Sequence, residues 1–127
     1  MSVDIHLQPF TVGDVGTAHP AAVMTVLGPH LEDDPVDGFA LLETDDGEAD
    51  VYGLATCDAL MFSHVSGRAV WDVIVEVAAA ASYAVLPDDG PACVTSPDLL
   101  ADLPGDLRAD ARIVGSGAEL LAVIQQA

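Results

Sequence analysis

The sequence predicts a single α+β domain, with one mixed, mostly antiparallel sheet of about five or six strands and three or four helices mainly on one face. Three observations predict it. A chain of 127 residues is about one domain long and can bury a core without disulfide or metal support. Short runs of period-two alternation recur, with polar residues along one side. Between them lies one long stripe of apolar residues at helical spacing. The polar rows argue for a sheet covered mainly on one face, because a sheet buried on both sides reads as continuous apolar runs.

The elements follow in chain order. Val3, Ile5 and Leu7 alternate with Asp4, His6 and Gln8, so residues 3–10 read as a half-buried strand. Gly13 and Gly16 break it. Pro20 suits the first turn of a helix, where its missing N–H costs nothing, and Val23, Val26 and Leu27 form that helix's stripe. Gly28-Pro29 ends it. Residues 32–38, Glu-Asp-Asp-Pro-Val-Asp-Gly, form an acidic loop.

A hairpin is expected next, with strands over 39–44 and 48–54 around Asp45-Asp46-Gly47. Gly47 is the residue free to take positive φ in its turn. Glu48, Asp50 and Tyr52 share one side of the second strand, and Ala49, Val51 and Gly53 the other. Residues 59–65 form a further strand. A helix is expected over 67–85, capped by Ser66. Val70, Trp71, Ile74, Val77, Ala78 and Ala81 make its buried stripe, and Asp72 and Glu76 fall on the flank. Residues 87–91 turn, and 92–95 form a short strand. Ser96-Pro97-Asp98 opens a short helix to about Leu103 that Pro104-Gly105 stops. A strand over 111–114 and a helix over 117–126 complete the chain.

Charge is the strongest feature. Twenty-one acidic residues stand against three Arg and no Lys, a net charge of −18. Nucleic-acid binding needs a Lys/Arg footprint on phosphates, and an anionic membrane surface attracts basic segments, so neither partner is expected. No apolar run is long enough to span a bilayer. The opening residues lack the basic and apolar regions of a secretory signal. The acidity has three sources to weigh: genome composition, adaptation to high salt, and capture of a basic partner. Genome composition can remove Lys but does not decide where Asp clusters. Cys57 and Cys93 are expected as reduced thiols of a cytoplasmic protein.

No catalytic motif stands out. His6, His19, His30 and His64 form no metal-ligand pattern, and no cofactor or metal is expected. Ser63-His64-Val65-Ser66-Gly67-Arg68 has the ingredients of an anion site at a helix start but no glycine-rich loop with Lys, so a capped helix is the plainer reading. Asp45, Asp46, Glu48 and Asp50 carry the oxygen ligands that hard cations want, without the spacing of a calcium loop. Cys57 with His64 would make a nucleophile and base only if the fold brought them together, and Cys57 has no basic neighbour.

What remains is a surface. The expected function is that of a small non-catalytic binding protein, in its concrete form an immunity or inhibitor protein that neutralises a basic toxin or enzyme. Asp33, Asp34, Asp45, Asp46, Glu48, Asp50 and Tyr52 are its expected partner contacts. Carboxylates pair with Lys and Arg, and tyrosine is enriched at binding hot spots. The alternatives are a small enzyme or ligand-binding domain with a pocket at His64 and Arg68, and a salt-adapted structural subunit.

Overall fold

The computed structural model describes residues 4–88 and 90–126. Val3, in the first predicted strand, and Asp89, in a predicted turn, lie outside the described residues. The strands are β1 (Ile5–Thr11), β2 (Asp14–Val15), β3 (Ala40–Glu43), β4 (Glu48–Tyr52), β5 (Leu60–Ser63), β6 (Tyr83–Pro87), β7 (Cys93–Val94) and β8 (Arg112–Ile113). The helices are α1 (Pro20–Leu27), α2 (Ala69–Ala81), α3 (Pro97–Leu100), α4 (Gly105–Arg108) and α5 (Gly117–Gln126), with a 3-10 turn over Gly28–His30.

One mixed sheet runs β3-β4-β5-β1-β6-β7-β8, and β2 folds back on β1. Neighbours are antiparallel except β7 and β8, which are parallel. The α+β class is as predicted, with eight strands in place of five or six. On one face α1, α2 and α5 close a core in which Ile5, Leu7, Leu42, Val51, Phe62, Ile74 and Leu120 are fully or almost fully buried. Trp71 is buried in that core, as the helical stripe predicts. A smaller cluster of Ala84, Ala92, Val94 and Leu103 lies on the other face, against Leu99, Leu100 and Leu107 of the α3–α4 segment.

Three expectations need correction. The helix expected over 67–85 ends at Ala81, where Ser82 adopts the left-handed conformation (φ 60°, ψ 41°) and the chain turns directly into β6. The apolar run Tyr-Ala-Val-Leu-Pro hides this strand because the sheet is covered on both sides here. Tyr83 and Val85 face the main core, and Ala84 faces the smaller cluster. Such a strand carries no polar alternation to announce it. Second, Pro104-Gly105 does not stop a helix running to Leu103. The turn of α3 ends at Leu100, and Pro104 is the N-cap residue of α4. Third, Gly47 is not among the positive-φ residues. It is small for a different reason: a Cβ there would run into the carbonyl of Ser66.

Both cysteines are free and buried. Burial pushes the Cys93 thiol up to about 11, against a smaller opposing pull from Arg112. Burial, and then the charge of Asp58, raise the Cys57 thiol. A thiol raised by folding favours the folded state fully below its unfolded value, and this contribution is lost as pH rises through the folded value. Stability is therefore expected to fall between pH 9 and about 11, a trend that urea melts across that range would show. A thiol reagent at pH 8 should label both cysteines in denaturant and neither in the native protein. Rapid native labelling would contradict their burial.

Candidate functional site

The hairpin turn and the start of α2 are built as one unit. Thr44 closes the turn, its N–H donating to the Gly47 carbonyl at 2.9 Å. The Asp46 carboxylate then reaches across to α2, accepting the N–H of Arg68 (2.9 Å) and the N–H of Ala69 (3.1 Å). These amides at a helix start have no partner within the helix, so Asp46 caps α2 from a distant turn. The Arg68 N–H, then the Ala69 N–H, hold its carboxyl below the ordinary range. Ser66, the expected cap, does something else. Its Oγ accepts the Glu48 N–H at 3.0 Å, and its hydroxyl lies 3.3 Å from the Glu48 carbonyl. The N-cap residue is Arg68, which makes no side-chain cap. Asp46→Ala should lower the melting temperature at pH 7. Because the folded carboxyl is depressed, that difference should shrink as pH falls through and below the usual carboxylate range. A difference that persists undiminished in acid would assign Asp46 another role.

Beside this junction lies an acidic groove of about 560 Å³. Its walls are Pro29–Glu32, Glu43–Asp45, and Ala69, Asp72, Val73 and Glu76 of α2. Five lining residues are carboxylates (Glu32, Glu43, Asp45, Asp72, Glu76), and none is Lys or Arg. The chain reaches this arrangement because residues 31 and 32 run along the β3 edge. Leu31 bridges Leu42, and the Glu32 N–H donates to the Leu41 carbonyl at 3.1 Å. That brings Glu32 to Glu43. The Glu43 charge, then partial loss of water, then Asp33, raise the Glu32 carboxyl above its ordinary value. Asp33 and Asp34 line an adjoining hollow of about 330 Å³ that shares Leu31 and Glu32 with the groove.

Thus the acidic loop and the hairpin turn, separate in sequence, meet at one sheet edge. Asp45 of the expected contacts is in the groove, and Asp33 and Asp34 are beside it. Glu32, Glu43, Asp72 and Glu76 were not among the expected contacts, although Glu32 belongs to the expected acidic loop. The four-residue spacing of Asp72 and Glu76 marks one helix flank, but nothing in the sequence says that this flank faces the β3 edge.

Glu48, Asp50 and Tyr52 lie on the opposite sheet face from the main core. Asp50 contacts His64, Oδ2 to Nδ1, at 2.9 Å. The Tyr52 ring packs on Phe39 at a centroid distance of 5.1 Å. Ser63 donates its hydroxyl to Asp4 at 2.9 Å, and its Oγ lies 3.4 Å from His64 Nδ1. A nucleophile relay uses the two ring nitrogens for different partners. Here both contacts fall on Nδ1, so Ser63, His64 and Asp50 do not form one. Cys57 is buried, with its Sγ 3.6 Å from the Leu54 carbonyl. Its raised thiol lacks the electropositive surroundings that activate a nucleophile. Arg68 lines a hollow of about 240 Å³ with Trp71, Asp72, Gly117, Ala118 and Leu121, and His64 is not in that wall. Among the described residues, no three of His, Cys, Asp and Glu are grouped to hold a metal. No helix among them is long and apolar enough to cross a membrane.

Comparison with protein-family models, curated proteins and solved structures finds no match for this chain.

Proposed function

We propose that this chain is a non-catalytic binding protein that neutralises a basic toxin or enzyme by receiving its Lys and Arg side chains in the acidic groove. The observation that carries this reading is the groove's wall: Glu32 against Glu43, with Asp45, Asp72 and Glu76 around them, one imidazole at His30, and no Lys or Arg in the lining. Concave walls of one sign focus the field and raise the association rate of an oppositely charged partner. They also select against acidic partners. A cation placed between Glu32 and Glu43 removes the repulsion that raises the Glu32 carboxyl. Two free, buried thiols accord with action in a reducing cytoplasm.

The test has two steps. The chain is used to capture proteins from a lysate of its own host at low and moderate salt, and the captured protein is assayed while the chain is titrated in. The expected result is a basic protein that elutes as salt rises and loses its activity at stoichiometric addition. A captured protein that keeps its activity, or one held independently of salt, overturns the neutralising role.

A further inference from the structure

A second surface lies on the sheet face away from α1, α2 and α5. The α3–α4 segment covers its β6–β7 end, where Leu86 and, at the far end of β1, Phe10 pack against the smaller cluster. Over β4, β5, β1 and β6 the strand registers sort the outward side chains into two lanes. Tyr52 pairs with Met61, Met61 with His6, and His6 with Leu86, an apolar lane interrupted by one imidazole that reaches Asp88 (Nε2 to Oδ1, 3.2 Å) and ending at the half-buried Leu86. Phe39 extends it by packing on Tyr52, and each of these two rings is 39% exposed. One pleat repeat away, Asp50 pairs with Ser63. Ser63 donates to Asp4, and the Asp88 N–H donates to the Asp4 carbonyl at 3.1 Å. This second lane carries three carboxylates across four strands.

We infer that this face docks an amphipathic basic α-helix of a partner protein, its apolar stripe on Phe39, Tyr52 and Met61 and its Lys/Arg flank over Asp50, Asp4 and Asp88. The lanes lie about 7 Å apart, two residues along a strand, and four strands span about 14 Å. At 1.5 Å per residue, a helix of about ten residues covers that span, with apolar positions at i, i+3 or i+4, and i+7. Charge selects the occupant. Asp4 and Asp88 are like charges on neighbouring strands, held by the Ser63 hydroxyl and by His6 (Nε2 to Asp88 Oδ1, 3.2 Å), and neither lane contains a Lys or Arg. A basic flank relieves them. A second copy of this chain would set acidic lane against acidic lane on a protein of net charge −18. The inference shares the proposed function's preference for a basic partner, but it rests on a different surface.

The probe is a synthetic Leu/Lys peptide of about 15 residues, long enough to be helical when bound, compared with a scramble of the same composition. Binding to the full chain is measured by calorimetry and mapped by backbone amide shifts. The patterned peptide is expected to bind at least about tenfold tighter than the scramble, with shifts over β4, β5 and β1. Tyr52→Ala with Met61→Ala, and separately Asp4→Asn with Asp88→Asn, should each remove about tenfold. Circular dichroism confirms folding, and the Asp→Asn pair keeps the test alive if the apolar pair unfolds. Glu32→Gln with Glu76→Gln should change nothing here, so failure of the groove and failure of this face are read separately. Equal binding of the two peptides, shifts confined to the groove, or a dimer that the Tyr52/Met61 variant dissolves would overturn the inference.

Discussion

Tyr83→Ala is expected to cost about 3–5 kcal/mol, the range for removing a large buried aromatic side chain, and so to leave a chain of this size marginal or unfolded. Tyr83 is fully buried in β6. Its oxygen accepts the His19 N–H at 2.9 Å, and its hydroxyl donates to the Cys57 carbonyl. One side chain thereby ties the approach to α1 and the loop before β5 to the middle of the sheet. Tyr83→Phe keeps the ring and removes both bonds, and should cost about 1–3 kcal/mol because the Cys57 carbonyl is left in the core. Burial first, opposed by the His19 N–H, raises the Tyr83 phenol above its usual value. The same linkage sign applies as for the thiols: stability conferred by the neutral phenol is complete below its unfolded value and is lost at higher pH. Urea melts of the wild type and both variants at pH 7 and above pH 10 check this. A Phe variant as stable as wild type at pH 7 would show that the two bonds contribute nothing net.

Neutralising the groove should have opposite effects on binding and stability. The variant is Glu32→Gln, Glu43→Gln, Asp45→Asn and Glu76→Gln. Asp72 is left alone because its Oδ1 accepts the Gly117 N–H at 2.8 Å and so caps α5. Affinity for the basic partner should fall roughly 100-fold, as expected when charges facing a cationic surface are removed, and the dependence of binding on salt should flatten. The melting temperature should rise at low salt, because Glu32 and Glu43 no longer repel and Asp72 no longer faces a like charge one helical turn away at Glu76. A structural role for these carboxylates predicts the reverse, with lower stability. Unchanged affinity would remove the groove from the proposed function.

Much of this was open to a reader of the residues. Period two around Ile5 and Leu7, the stripe through Trp71 and Ile74, and the Asp-Asp-Gly turn each depend on neighbours a few positions away, so local pattern suffices. Asp46 shows where that ends. Its residue type marks a turn, but its partners are amides more than twenty positions along the chain, and no local rule locates them. The same holds for β6, whose neighbours on both faces come from remote segments.

The sequence by itself determined the α+β class, the main helix, the hairpin and the sign of the surface, because local periodicity and composition carry these. Tertiary structure alone decided that the acidic loop, the hairpin turn and the flank of α2 share one groove. It also decided that Asp46 caps a distant helix, and that the three longest helices share one face of the sheet. These are matters of which distant segments meet. Chain geometry settles them when the core closes, and the spacing of charges along the sequence does not encode it.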